Sequence, residues 1–220
     1  MAAAAVAQVM LPAWAGDTAM GKALAAWLMV AGAMAATGGP RDVVQAAVTR
    51  VIVAMQEDPG REHTRPEIRK AAASLFDFDE MARRTLTRHW AKHSAEEQAE
   101  FVGLFTDLLE RSYLGRIESW SGEKIVYTSE VVDGRFASVR SKIITSRAEV
   151  ALEYRLLQRD GRWRVYDVLM DGVSFVSTFR SQFDRIIQQS SWSGLIDKLR
   201  KRTIQAAVVE RAPRIVSLPR

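Results

Sequence analysis

The spacing of apolar residues along this chain changes period twice, and that change constrains the fold more than any single motif does. From Arg41 to Glu57, Val44, Val48, Val51, Ile52 and Met55 recur three or four residues apart, the stripe of an amphipathic helix that Asp58-Pro59-Gly60 stops. A second helical stretch opens near Pro66, a residue suited to a first helical turn, and runs through Ile68, Ala72 and Leu75. It reaches Phe76-Asp-Phe78-Asp-Glu-Met81, then continues or restarts toward Trp90. Ser94-Ala-Glu-Glu97 reads as a capping box, in which the Ser hydroxyl and the Glu carboxylate each satisfy a backbone N–H of the first turn. The long helix it opens carries Phe101, Leu104, Phe105, Leu108, Leu109, Tyr113 and Ile117 on one broad face and ends about Trp120-Ser-Gly122.

Beyond Gly122 the period falls from 3.6 to 2. Four strands follow: Lys124 to Thr128, Phe136 to Ile144, Glu149 to Leu156, and Trp163 to Leu169, with Asp133-Gly134 and Asp160-Gly161 as turn signals. In the third, Val150, Leu152, Tyr154 and Leu156 share one face while Glu149, Ala151, Glu153 and Arg155 share the other. Such a sheet has a dry side and a wet side. After Asp171-Gly172 the helical period returns at Val173, Val176, Phe179, Phe183, Ile186 and Ile187, and Ser193 opens a short last helix with Leu195, Ile196 and Leu199. Helices, a strand meander, then helices define an α+β fold with an antiparallel sheet of about four strands packed against N-terminal and C-terminal helices.

Composition narrows the chemistry. With no cysteine, the chain forms no disulfide framework, thiolate zinc site or iron–sulfur cluster and has no cysteine nucleophile. Dinucleotide-binding, P-loop and G-x-S-x-G motifs are absent; Gly172-Val-Ser174-Phe-Val176 lacks the second glycine. His89 and His93 stand four apart but flank Trp-Ala-Lys without an intervening glutamate, so both are expected to be solvated surface residues, as is His63 on a charged linker. The net charge of +5 comes from basic residues interleaved with acids, which argues against nucleic acid as a partner. Lys198-Leu-Arg-Lys-Arg202 reads as a helix end complementing the macrodipole, with an anionic membrane surface or acidic partner as the second reading. Asp167, with apolar neighbours on both sides, is a candidate buried carboxylate; it is expected to pair with an arginine such as Arg180 and to anchor the following helix. An acid–base role in an apolar pocket is the alternative.

The first 40 residues hold one Lys and one Asp. Met20-Gly-Lys22, the apolar run from Ala23 to Ala33 and the Ala33-Met34-Ala35 triplet have the order of a signal peptide over residues 1–35, with Met20 as an alternative start and an uncleaved amphipathic helix as an alternative structure. Residues 36–207 then form one domain and 208–220 a loose tail.

The segments Phe76-Asp-Phe-Asp-Glu-Met-Ala-Arg-Arg84 and Ser94-Ala-Glu-Glu-Gln-Ala-Glu-Phe101 resemble the toluene-tolerance, or MlaC, family of periplasmic proteins. The most specific likeness is Trp163-Arg-Val-Tyr-Asp-Val-Leu-Met-Asp-Gly-Val-Ser174 leading into Phe179-Arg-Ser-Gln-Phe183. The resemblance spans about Arg41 to Arg202 and implies a non-enzymatic carrier in the periplasm, without a cofactor, that holds phospholipid cargo by its acyl chains in an apolar cavity between sheet and helices. It further implies as partners an outer-membrane lipoprotein complex and an inner-membrane ABC transporter with an MCE-domain subunit, and a role in outer-membrane lipid asymmetry. A hopanoid-associated branch of the family, or an adaptor subunit that holds no lipid, are the alternatives. Side-chain direction then nominates lining residues: Phe105, Leu109, Tyr113, Val173 and Val176 from the helices, and Val139, Ile143, Val150, Leu152 and Tyr154 from the strands.

Overall fold

A computed structural model describes residues 38–57, 64–118, 120, 122–146 and 148–204. The segment 1–35 expected to be a signal peptide, the linker holding His63 and the C-terminal tail lie outside the described residues.

Helix α1 spans Pro40–Glu57 and buries Val44 and Ala47. Its first turn is closed by Asp42, whose carboxylate accepts the Gly39 N–H at 3.0 Å. Helix α2, Thr64–Leu75, carries Pro66 in its first turn and buries Ile68, Ala71 and Leu75. The chain then leaves helical geometry for two residues: Phe76 bridges Val165, and the Asp77 N–H donates to the Val165 carbonyl at 2.9 Å. Asp77 is also the N-cap of α3, Phe78–Leu86, accepting the Glu80 N–H at 2.9 Å. The Phe-Asp-Phe-Asp-Glu segment is therefore a restart, because one aspartate both docks the chain on a strand and opens a new helix.

A 3₁₀ turn, Thr87–Lys92, leads to α4, Ala95–Glu118. The capping box forms as the spacing predicts: the Ser94 N–H donates to the Glu97 carboxylate at 2.9 Å, and the Glu97 N–H donates to Ser94 Oγ at 3.3 Å.

The sheet is a pure antiparallel meander in the order β1 to β5: Lys124–Asp133, Phe136–Ile144, Glu149–Arg159, Arg162–Met170 and Val173–Ser174. The fifth strand, beyond the four the alternation predicts, is two residues long and pairs Val173 with Met170 and Ser174 with Leu169. At the β3–β4 turn Asp160 and Gly161 both take positive φ, 50° and 73°. A two-residue loop needs that backbone twist to join twisted strands, which is why Asp-Gly stands there.

Helix α5 runs Phe175–Arg200. The sequence places its start at Val173, but Val173 and Ser174 extend the sheet, and Ser174 caps the helix by accepting the Ser177 N–H at 3.0 Å. The expected separation into two helices survives as a break at Ser191, with φ 66° and ψ 178°. The break turns Trp192 onto His93, where the rings stack at 3.7 Å.

Candidate functional site: the apolar interior between sheet and helices

Two apolar clusters fill the interior. One is helical: Phe101 and Phe105 from α4 meet Phe179 and Phe183 from α5 in edge-to-face contacts of 5.4 to 5.9 Å, and all four are fully buried. Aromatic quadrupoles favour that geometry, so this cluster is a solid, directional core. The second lies on the inner face of the sheet, where Ala137, Val139, Leu152, Tyr154, Leu156, Trp163 and Val165 pack with Val44 and Ala47 of α1 and Phe175 of α5.

The nominated lining residues divide between them. Val139, Leu152 and Tyr154 belong to the sheet cluster, with Ile143 packed against it, and Val150 is buried beside Ile143 as its register partner. Phe105, Leu109 and Val176 belong to the helical cluster. Tyr113 touches both, its ring stacked on Phe175 at 4.9 Å. Val173 does not join either, because β5 leaves it 36% exposed. Its helical spacing in the sequence is fortuitous.

The inner face also carries residues that apolar counting passes over. Tyr127 of β1 and Ser141 of β2 are register partners, and Ser141 is partnered in turn with Leu152. Ser141 is 2% exposed, and neither its hydroxyl nor that of Tyr127 has a hydrogen-bond partner. Tyr154 stands one diagonal away; burial pushes its hydroxyl well above the usual tyrosine range, the nearby Tyr127 adds to this, and the neighbouring Ser141 opposes it. Burial likewise raises the Tyr127 hydroxyl. The signal that could have found Ser141 was its place in the alternation Ala137, Val139, Ser141, Ile143.

Asp167 is buried as expected, but its partner is not Arg180, which instead donates to Ser177 Oγ at 3.0 Å. The Asp167 carboxylate accepts the Ser174 hydroxyl at 2.6 Å and the Val176 N–H at 3.1 Å, with Arg155 at 4.0 Å. It anchors the start of α5 through that helix's own first turn, since a carboxylate there meets unsatisfied N–H groups and the positive dipole end. The histidines also differ from expectation. His89 and His93 have side chains only 13% and 14% exposed; His89 Nε2 lies 2.9 Å from Asp184, and His93 Nδ1 lies 3.3 Å from Glu97. Both are packing residues that tie the 3₁₀ turn to α4 and α5. Among the described residues no group of three or more His, Asp or Glu is placed to hold a metal, and no helix is long and apolar enough to cross a membrane.

A separate cleft of about 480 Å³ lies where the α2–α3 junction meets the β3–β4 turn, lined by Asp77, Asp79, Arg159, Arg162 and Arg164 together with Phe76 and Phe78. Arg164 donates to the Ala73 and Phe76 carbonyls at 3.2 Å, and Arg159 lies 3.1 Å from Asp77. Its walls are mostly charged. That is a poor lining for hydrocarbon.

A five-stranded antiparallel meander, dry on one face and covered by helices that contribute a second apolar cluster, defines an α+β sheet-and-helix class. The comparisons make this specific. The family model described as MlaC protein matches residues 45–201. An intermembrane phospholipid transport system binding protein, MlaC, from Haemophilus influenzae is 23% identical over 160 residues, covering 70% of this chain and 74% of that protein. The toluene tolerance protein ttg2D of Pseudomonas putida is 22% identical over 179 residues, covering 74% and 83%. A phospholipid-binding protein from Ralstonia solanacearum, solved in complex with a phospholipid, superposes with a TM-score of 0.70 at 24% identity, over 79% of this chain and 99% of that one. The chain belongs to the MlaC family.

Proposed function

We propose that this protein is a periplasmic, non-enzymatic carrier that holds a phospholipid by its acyl chains between the inner face of the sheet and the helices. It passes the lipid between an outer-membrane lipoprotein complex and an inner-membrane ABC transporter with an MCE-domain subunit, and so serves outer-membrane lipid asymmetry. The observation that carries this reading is the largely apolar inner face of β2, β3 and β4, set against helices in a chain of the same family as a protein named for phospholipid transport and binding.

The physics of the cargo supports an interior site. Two acyl chains of about 16 carbons, at about 0.8 kcal/mol per buried methylene, represent on the order of 25 kcal/mol of transfer free energy. A surface patch offsets only a fraction of that. A carrier must cover most of the hydrocarbon so that carrier and bilayer differ little and both loading and release proceed. Of the nominated residues, Val139, Ile143, Val150, Leu152, Tyr154 and Tyr113 remain the proposed lining. Phe105, Leu109 and Val176 serve the helical core behind it, and Val173 is withdrawn.

Protein purified from the periplasm, extracted with organic solvent and analysed by mass spectrometry, is expected to yield diacyl phospholipid, with much less from Leu152→Glu, which places a carboxylate on the inner face. Folded wild-type protein that yields no lipid overturns the reading.

A further inference from the structure

We infer that the hydroxyls of Tyr127 and Ser141 form a polar subsite inside the apolar interior that donates hydrogen bonds to an ester carbonyl of the bound lipid. This rests on the carrier reading above and says where along the lipid the protein discriminates. Ser141 is 2% exposed, and its Oγ, although it interacts with the neighbouring Tyr154 hydroxyl, makes no hydrogen bond of good geometry. Tyr127 Oη, on the residue directly across from Ser141 in the β1–β2 register, is also buried without a partner.

Orphaned buried hydroxyls are uncommon because each forfeits its bonds to water. Here two occur side by side on a face where Val139, Ile143 and Leu152 are aliphatic neighbours and Tyr154 adds a third hydroxyl. Both groups can donate, so they suit an acceptor that arrives without a proton of its own. A carbonyl oxygen is that group in a diacyl lipid, and hydrocarbon has none.

Polarity along the site follows the order of such a lipid. Arg41, an exposed residue at the start of α1, places its guanidinium 5.6 Å from the centre of the Tyr127 ring. A cation, two hydroxyls and aliphatic side chains are therefore successive neighbours, with Arg41 over the Tyr127 ring and Ser141 paired to Leu152. Phosphate, then ester, then acyl chain is the matching sequence in a glycerophospholipid. The β-bulge between Tyr127 and Ser129 lies at this corner and re-aims the strand beside the tyrosine.

The test compares a diacyl phospholipid with the diether analogue of the same chains and headgroup, which lacks the carbonyl oxygens. Both are presented to delipidated protein purified from the periplasm in competition and the bound fraction is quantified by mass spectrometry. Wild type is expected to favour the ester about fivefold to tenfold, as one or two net hydrogen bonds give. The Tyr127→Phe, Ser141→Ala double variant, which removes only two oxygen atoms, is expected to bind both lipids equally. A second readout uses lipid labelled with carbon-13 at the ester carbonyl: the infrared carbonyl band of the wild-type complex shifts to lower frequency, and in the double variant it does not. Equal binding of ester and ether by wild type overturns this inference while leaving the carrier reading intact. An ester preference that survives the double substitution overturns the assignment to these two hydroxyls. Binding of neither lipid overturns the carrier reading and this inference together.

Discussion

Glu80 is 4% exposed, yet three guanidinium groups converge on it: Arg83 at 2.7 Å, Arg84 at 2.7 Å and Arg159 at 3.5 Å. Burial disfavours its charge, but the hydrogen bonds from Arg83 and Arg84 outweigh burial and hold its carboxyl below the ordinary glutamate value. Arg84 also covers the Tyr166 ring at 3.9 Å, so the carboxylate positions a cation–π contact on the sheet's outer face. Glu80→Gln is expected to lower unfolding free energy by about 2 kcal/mol at neutral pH, in the range of hydrogen bonds to charged groups, measured by urea denaturation. Because the folded pKa is depressed, this contribution is fully present above the unfolded value of about 4.3 and is lost as pH falls through the lower folded value. The difference between wild type and variant therefore shrinks in acid. Glu153, where hydrogen bonds from Arg140 and Arg155 outweigh burial, and Asp184, held down first by its His89 hydrogen bond, shift in the same direction and add to the acid lability.

Helix α5 is shaped by its beginning and by its break. Ser174 caps the first turn while donating its own proton to Asp167, so one side chain couples strand β4 to the helix. Ser174→Ala is expected to cost about 1 kcal/mol, as the loss of an N-cap does, and Asp167→Ala more, because it also frees the Val176 N–H. Thermal denaturation of both variants checks the order. At the break, Ser191 adopts φ 66° with ψ 178°, a region suited almost only to glycine. Ser191→Gly is expected to raise the melting temperature, since relief of about 1–3 kcal/mol of backbone strain exceeds the glycine entropy cost of about 0.5–1 kcal/mol. An unchanged or lowered melting temperature would show the strain to be absent. The break aims Trp192 at Phe101 and His93, closing the far end of the helical cluster.

At the scale of the molecule, the proposed carrier role gives the two apolar clusters separable duties. Phe183 makes ring contacts with Phe101, Phe105 and Phe179, all within the helical cluster. Phe183→Ala is expected to cost about 3–5 kcal/mol of stability. If the variant folds at low temperature, it is expected to keep its lipid, as co-purified lipid per mole of protein would show. The sheet face is expected to respond to cargo instead. Adding diacyl phospholipid to delipidated protein should raise the melting temperature, with about 2.7 kcal/mol of stabilisation when free lipid reaches 100 times the dissociation constant. A melting temperature indifferent to lipid would contradict an interior site.

How much of this was legible follows from what each residue's signal depends on. The Ser94–Glu97 cap and the strand alternation in Glu149 to Leu156 depend on neighbours a few residues away, so they stand in the sequence as they stand in the structure. Val173 misled because its spacing fits a helix, whereas pairing with Met170, across a tight turn, holds it in the sheet. Asp167 misled in its partner for a related reason: Ser174 and the Val176 N–H come to it only when β4 and the start of α5 meet. The orphan hydroxyls of Tyr127 and Ser141 become visible only when two strands are set in register and helices close over them. By itself the sequence determined the α+β order, the caps and the dry face of the sheet, because periodicity and capping are local properties of the chain. Tertiary structure alone decided which apolar residues became solid core and which became candidate lining, because that choice belongs to contacts between elements far apart along the chain.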